Sequence, residues 1–158
     1  MKRDSKLSSV LHVLLHLAHS ERPITSEQMA AMLGTNPVLV RRVLAGLRER
    51  GYISSERGHG GGWAVTCDLA QVTLRDVYDA VGAPSVFAMG NRNEHSECLV
   101  EQVVNASLAD AFAEAEALLV ERLGQVTLAD LSRDFNGRYA IHLQGKPNHD
   151  HDHDHDRN

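Results

Sequence analysis

The sequence predicts an α+β fold that is mostly helical, with one small hairpin after the third helix. A basic amphipathic helix is expected to begin at Asn36-Pro37 and to end at Gly51, and a short turn separates it from the helix before it. An apolar strand follows, and the glycine-rich residues 57–62 lead back into a second strand. This order of elements is typical of a winged helix-turn-helix. Its third helix can enter a DNA major groove, while the hairpin loop lies along the neighbouring minor groove.

The first two helices are predicted from hydrophobic spacing and from their capping residues. Apolar residues recur at helical spacing over residues 4–20, which indicates an amphipathic first helix. Thr25 and Gln28 form a capping-box pattern that opens the second helix, and Gly34 suits the left-handed residue that ends it. Asn36 is a good N-cap for the third helix, and the proline after it fits the first helical position. The connection between the second and third helices is therefore as short as in a helix-turn-helix.

Three further helices are expected beyond the hairpin. Thr73 caps a short helix that ends near Val81, and a long helix is expected from about residue 97 to residue 123. The second half of the long helix has apolar residues close to a heptad pattern, namely Leu108, Ala111, Phe112, Ala115, Leu118, Leu119 and Leu123. Because such a seam needs a partner, we predict a C-terminal dimerisation helix and a homodimer through residues 97–123. A final short helix opens at Thr127.

These elements divide the chain into four parts. Residues 1–82 are predicted to form a winged helix-turn-helix DNA-binding domain, and residues 83–96, rich in Gly, Pro, Asn and Ser, a loop. Residues 97–135 contain the dimerisation helix and the final short helix. Residues 136–158 are expected to be a disordered tail rich in His and Asp.

Composition excludes several classes of protein. No apolar run approaches the roughly 20 residues that span a bilayer, so we expect no membrane partner. The N-terminus is basic, but it has no uninterrupted apolar segment and does not resemble a signal peptide. Cys67 and Cys98 are too few for a disulfide scaffold, and a cytoplasmic protein with reduced thiols is expected.

The net charge of −5 hides a basic segment. Between residues 37 and 60, five arginines outnumber two glutamates, whereas residues 146–158 carry an excess of two acidic charges. Local field, rather than total charge, governs attraction to phosphate. The charge distribution is therefore compatible with a DNA-binding head, although a charged run can also be only a solvated face.

The predicted DNA-contacting residues lie at the start of the third helix and in the hairpin loop. They are Thr35, Asn36, Pro37, Val38, Arg41, Arg42, Arg57, His59 and Gly60. A guanidinium from Arg41 or Arg42 can bridge O6 and N7 of guanine, which only the major groove presents together. The helix N-terminus favours a phosphate, although Asn36 can equally serve only as a cap. Arg57 and His59 flank the loop glycines and are placed to enter a narrow minor groove, or else mark a tight charged turn.

These residues resemble the Rrf-two (Rrf2) family of bacterial transcription regulators. The matching segments are Leu33-Gly34-Thr35-Asn36 and residues 43–53, 57–62, 72–77 and 127–131, within a resemblance that covers about residues 6–131. The resemblance implies a homodimer paired through the long helix, with two winged heads on a pseudo-palindromic operator in double-stranded DNA. It also implies repression of nearby promoters under redox, nitric oxide or iron control.

The cysteine pattern departs from that of the cluster-bearing members of this family. Those members carry three closely spaced cysteines around the start of the long helix, where this chain has Cys98 alone. A thiolate-held iron–sulfur cluster needs three or four protein ligands, and Cys67 lies at the end of the hairpin strand. The chain therefore resembles a cluster-free branch of the family, and no cofactor is expected.

Cys98 is the candidate sensor residue, because it lies near a helix N-terminus with His95 one turn earlier. An inert thiol is the alternative. His95, Cys98 and Glu101 could instead share a metal, and a disulfide between Cys67 and Cys98, within or between subunits, is a further possibility.

The C-terminal tail is a candidate metal-binding segment. His149, His151, His153 and His155 alternate with aspartates, and flexible imidazoles can bind Zn or Ni weakly. The alternatives are a solubilising tail, or a metal-handling or scaffold protein that uses this segment for its main function.

The sequence contains no complete catalytic motif, so it gives no support to an enzymatic function. The loop Gly58-His59-Gly60-Gly61-Gly62 superficially resembles the oxyanion loop of esterases. That loop works with a Gly-x-Ser-x-Gly turn and an α/β sheet, and the sequence has neither pattern. A DNA-binding transcription regulator is therefore the predicted function.

Overall fold

The computed structural model describes residues 6–84 and 97–144, with side chains described up to residue 141. In these ranges six helices and two strands follow in the order α1 (Lys6–Ala18), α2 (Ser26–Leu33), α3 (Pro37–Glu49), β1 (Ile53–Glu56), β2 (Gly62–Val65), α4 (Leu74–Ala80), α5 (Leu99–Leu123) and α6 (Leu128–Gln144). The predicted mostly helical α+β class, with a winged helix and a long C-terminal helix, is confirmed.

Helix α1 lies at the centre of the winged domain. Its apolar stripe is buried at Val10, Val13, Leu14 and Leu17. This stripe packs against β2, α3, α4 and α6. Burial of about four such side chains is the main reason why α1 stays helical, because apolar surface removed from water stabilises by about 25 cal/mol per Å².

The hairpin is held to the helical core by the chain before α2. Strands β1 and β2 pair antiparallel from Ile53↔Val65 to Glu56↔Gly62. The Ile24 amide donates to the Trp63 carbonyl at 3.0 Å, and the Trp63 amide donates back at 2.9 Å. A Cβ on Gly62 would lie 2.8 Å from the Ile24 carbonyl oxygen, so only glycine permits this approach. The hairpin is therefore fixed relative to α2 and α3.

Two capping boxes of the same sequence pattern join α4 to α6. Val72-Thr73-Leu74 and Val126-Thr127-Leu128 run antiparallel, and the Leu74 amide donates to the Val126 carbonyl at 2.9 Å. The Leu128 amide donates to the Val72 carbonyl at the same distance, 2.9 Å. Leu128 is buried in the core. The start of α6, and with it the end of α5, is thus tied to the winged domain.

The capping box at the start of α6 makes the stability of the fold depend on pH. Asp130 Oδ2 accepts hydrogen bonds from the Thr127 amide at 2.9 Å and from its hydroxyl at 2.8 Å. These bonds, with a smaller contribution from Arg133, lower the pKa of the Asp130 carboxyl. Because the folded-state pKa lies below the unfolded one, the ionised carboxylate stabilises the fold at neutral pH. That stabilisation is lost as pH falls through the lowered pKa.

We therefore expect Asp130→Asn to be less stable than the wild type at pH 7. The difference in the free energy of unfolding between the two proteins should become smaller toward pH 3. Urea unfolding of both proteins at several pH values measures this gap. A gap of constant size would mean that the carboxylate charge contributes nothing.

Helix α6 differs from its prediction. The final helix was expected to be short, with a disordered tail from residue 136, but it continues to Gln144. The reason is a tertiary contact with the end of α1. The His19 ring packs edge-on against Phe135 at 4.7 Å between centroids, and Phe135 stacks with Tyr139 at 5.8 Å. The boundary at residue 136 is therefore wrong for residues 136–144.

Helix α5 is the least buried element of the described chain. None of its residues is buried, and Leu99 is 75% exposed. Its other exposed large apolar residues are Val100, Val103, Val104, Leu108, Leu118 and Leu119. A helix that is apolar on most sides is normally covered. The bounds predicted from sequence, about 97–123, agree with the observed helix.

Candidate nucleic-acid interface

An open groove of about 630 Å³ lies between the start of α2, the exposed side of α3 and the hairpin. Three arginines line it: Arg41 and Arg48 from α3, and Arg57 from the hairpin. Glu27 and Glu56 are the acidic residues of the lining. The groove therefore has a small excess of positive charge on the side of the domain that carries the third helix. A polyanion could lie along it.

The start of α3 is stabilised by its N-cap residue. Asn36 Oδ1 accepts a hydrogen bond from the Leu39 amide at 2.9 Å, and Pro37 occupies the first turn. The capping role proposed for Asn36 is confirmed. Val38 is 62% exposed and Leu39 is 42% exposed, so both apolar side chains project from the first turn. Such side chains can contact a thymine methyl group. Leu39 was not among the predicted site residues, although it lies off the buried stripe of α3.

Arg41 is oriented by an ion pair across the helix-turn-helix. Its Nη2 lies 3.0 Å from Glu27 Oε1 near the start of α2. The side chains are 54% and 64% exposed, so the pair adds less than about 1 kcal/mol to stability. Its effect is to hold the guanidinium on the groove side of α3. Glu27 was not predicted as a site residue, because the helix dipole already explains an acidic residue in a first helical turn.

The hairpin brings Arg57 to the same groove. Gly58 and Gly60 have φ values of +102° and +77°, which favour glycine, and they shape the turn between the strands. His59 and Gly60 are exposed at its tip. Thus Arg41 and Arg57 line one groove, while His59 and Gly60 form the loop end beyond it.

The other predicted contacts cluster at the α2–α3 turn. Thr35, Pro37, Val38 and Arg42 lie in the turn or in the first turns of α3, outside the lining of the groove. Arg42 is exposed. Arg48 belongs to the predicted basic segment but was not among the predicted site residues. It lines the same groove as Arg57 because the hairpin packs against α3.

The two cysteines lie in different parts of the described chain. Cys98 is the exposed N-cap residue of α5. Cys67 is half-buried after β2, and burial raises the pKa of its thiol. Within the one chain, Cys67 and Cys98 are not joined by a disulfide. In the part of the chain that is described, no three His, Cys, Asp or Glu side chains converge as metal ligands.

Two groups of histidines that the sequence predicts as neighbours of the sensor or as metal ligands lie outside the described residues. His95, the neighbour proposed for Cys98, is one of them. The four tail histidines, His149, His151, His153 and His155, are also outside. Their roles stay predictions.

With the fold and groove in place, comparison with known proteins identifies the family. The family model described as Rrf2, iron-dependent transcriptional regulator, matches residues 3–134. The chain belongs to the Rrf2 family. YwnA of Bacillus subtilis, which is named as an HTH-type transcriptional regulator, is 27% identical over 128 residues, or 81% of this chain and 95% of its own length.

Solved structures agree with this assignment. A crystal structure of a regulator from Lactobacillus plantarum has a TM-score of 0.70 and 28% identity, and covers 90% of this chain and 98% of its own. CymR, the global cysteine regulator of B. subtilis, has the same fold with a TM-score of 0.60 at 20% identity, over 84% and 97% of the two chains. This Rrf2 protein is thus a transcription regulator with a DNA-binding winged helix. Its described helices include none with the length and apolarity of a membrane span.

Proposed function

We propose that this Rrf2 protein is a homodimeric repressor that binds a pseudo-palindromic DNA operator. Two α3 helices enter successive major grooves, and the hairpin loops occupy the flanking minor grooves. The observation that carries this proposal is the shared groove. Arg41 and Arg48 of α3 face Arg57 of the hairpin across one surface, so both elements can bind the same stretch of duplex.

The roles proposed for individual residues follow from their positions. Arg41 and Arg42 read base edges or bind phosphates, and Arg57 with His59 reaches the minor groove. Thr35, Asn36, Pro37 and Val38 place the helix N-terminus, where the helix dipole is positive, against a phosphate. Gly60 permits the loop to approach the duplex closely. Because phosphate contacts release counterions, affinity should fall steeply with salt.

Dimerisation through α5 is supported by the exposure of that helix. Apolar residues lie along its whole length, yet none of its residues is buried within one chain. A second α5 is the occupant that a near-heptad repeat favours. The end of α5 and the start of α6 are tied to the winged domain. Pairing two α5 helices would therefore also set the spacing of the two heads.

Arg41→Ala and Arg42→Ala are expected to weaken operator binding by about 1–3 kcal/mol each if the residue loses a bidentate base contact. Mobility shift or anisotropy titrations at fixed salt measure the change. Arg138→Ala, which removes the same charge from the exposed surface of α6, is the matched control and should bind as the wild type does. If both α3 variants bind normally, sequence readout lies elsewhere.

The signal is proposed to act without a cysteine-held cluster. Cys98, exposed at the start of α5, is the proposed redox or nitrosative sensor, since a change there acts directly on the dimer helix. Cys98→Ser should then remove any difference in DNA affinity between reduced and oxidised protein. Cys67→Ser, at a half-buried thiol, serves as the control and should leave that difference intact.

Selection of genomic fragments by the purified protein, reduced and oxidised, tests the function as a whole. Enrichment of a common inverted repeat is the expected result, and the Arg41→Ala/Arg42→Ala protein should lose it. Strong metal uptake through the tail without any sequence-selective DNA binding would favour a metal-handling protein instead. Deleting residues 148–158 shows whether the tail affects operator affinity, with or without metal, at pH 6 and pH 8.

A further inference from the structure

We propose that His12 and His16, on the exposed side of α1, bind a divalent transition metal ion of the copper(II) or nickel(II) class. Their Nε2 atoms lie 2.8 Å apart, and their ring centroids are 4.7 Å apart. Both side chains are exposed, so an ion can reach them from solvent. The proposal rests on this geometry and is independent of the DNA-binding function.

The spacing of the pair follows from a helix that is held in place. Residues four apart lie above one another on the same helical face, as in the two histidines of helical zinc sites. The opposite face of α1 is anchored in the core by Val10, Val13 and Leu14. The two imidazoles are therefore organised before any metal arrives, and the pair exists only in the folded protein.

The distance between the two nitrogens favours one coordination geometry. With metal–nitrogen bonds of about 2.0–2.1 Å, adjacent corners of a square lie about 2.9 Å apart, and corners of a tetrahedron about 3.3 Å. The observed 2.8 Å is close to the first value. Square-planar or tetragonal sites with nitrogen and oxygen ligands are typical of Cu(II) and Ni(II). Waters would fill the remaining positions, and Cu(II) should bind most tightly.

The hydrogen bond between the two rings bears on their tautomers. Metal ligation requires neutral imidazole. In the metal-free protein, one ring can donate its Nε2 proton to the other. To bind a metal ion through both Nε2 atoms, the donating ring changes to its other neutral tautomer, with the proton on Nδ1.

A third histidine, His19, follows the end of α1 and offers a control, because its ring is engaged differently. His19 Nδ1 lies 2.8 Å from the Leu15 carbonyl oxygen, and its Nε2 lies 3.0 Å from Asn136 Oδ1. Ser132 Oγ is a further partner at 3.3 Å. Both ring nitrogens thus contact protein groups of α1 and α6.

The test uses the full chain with His149, His151, His153 and His155 changed to serine, so that the tail cannot compete. Calorimetric titration with Cu(II) should show about one equivalent bound per chain, and the electron paramagnetic resonance spectrum should show coupling to nitrogen. In this background His12→Gln or His16→Gln should weaken Cu(II) binding by at least about tenfold, since even second-shell losses can have that effect. His19→Gln should bind Cu(II) as the background does.

Thermal unfolding separates loss of the site from loss of the fold. Cu(II) should raise the midpoint of the background protein, because it binds the folded state alone, but not that of His12→Gln or His16→Gln. Without metal, these two exposed substitutions should leave the midpoint unchanged. The proposal is overturned if the background binds Cu(II) no better than the His12→Gln/His16→Gln double variant. It is also overturned if His19→Gln weakens binding as much as the other two substitutions do.

Discussion

If the protein is the homodimer proposed above, replacing Leu118 with glutamate is expected to convert it to monomers and to remove most operator binding. Leu118 lies in the near-heptad stripe of α5 and is 57% exposed in one chain. If a second α5 covers it, the substitution removes two buried leucines from the interface and places two carboxylates there. Burying a charge without a partner costs free energy because the charge loses its water. This cost adds to the loss of apolar contact.

The size of this effect can be estimated from burial. A leucine side chain contributes about 2 kcal/mol when buried, and each dimer has two copies, which gives about 4 kcal/mol. That corresponds to a roughly thousandfold weaker dimer. Analytical ultracentrifugation over a range of concentrations measures the dissociation constant, and DNA titration reports its consequence. A lone head should bind weakly, because half of the operator contacts are lost.

Met32→Glu is the matched control, since Met32 is an exposed large apolar residue on α2, away from α5. It introduces the same charge and should leave the dimer intact. A Leu118→Glu protein that stays dimeric at the same concentrations would place the interface on another surface.

Gly46→Ala is expected to destabilise the winged domain, although alanine normally favours a helix. Gly46 lies in α3 where the backbone of α4 crosses it. A Cβ at this position would overlap the carbonyl oxygen of Ala80 and lie 3.1 Å from its carbonyl carbon. Both neighbours are backbone atoms, so the clash can be relieved only by moving one helix against the other.

The net change in the free energy of unfolding caused by Gly46→Ala is the difference between two effects. Overpacking of this kind costs about 3 kcal/mol, and the higher helix propensity of alanine returns about 1 kcal/mol. We expect a net loss of about 2 kcal/mol in the free energy of unfolding, or roughly 5–10 °C in the melting temperature. Calorimetry or urea unfolding measures it. Because Gly46 sets the packing of α3, operator binding should also weaken in the fraction that stays folded.

Gly137→Ala is the control for helix propensity. Gly137 lies in α6, and a Cβ there would meet no atom within 4 Å. This substitution should stabilise the protein by up to about 1 kcal/mol. If Gly46→Ala stabilises the protein in the same way, then α3 and α4 do not approach as closely as the structure indicates.

The local architecture was predictable from sequence because its causes are local. Thr25 with Gln28 forms the capping box at α2, Asn36 caps α3 and Thr73 caps α4, as expected. Gly34 ends α2 with a φ of +61°. Each of these hydrogen bonds joins residues within a few positions, so the residue types alone specify them. The apolar repeat of α5 was visible for the same reason.

The candidate site could be predicted only in part. Arg41 and Arg57 were identified from their residue types and neighbours, and the structure places both in one groove. Glu27 was not identified, because its contact with Arg41 joins residues that are 14 positions apart.

Sequence by itself determined the helices, their caps, the glycine turn of the hairpin and the family, all of which follow from short-range patterns. Tertiary structure alone decided how far α6 extends, since His19, just after the end of α1, supplies the contact for Phe135. It also decided the close approach of Gly46 to Ala80 and the pairing of Ile24 with Trp63. These contacts join distant segments, and their geometry depends on how whole helices pack, which no local pattern of residues encodes.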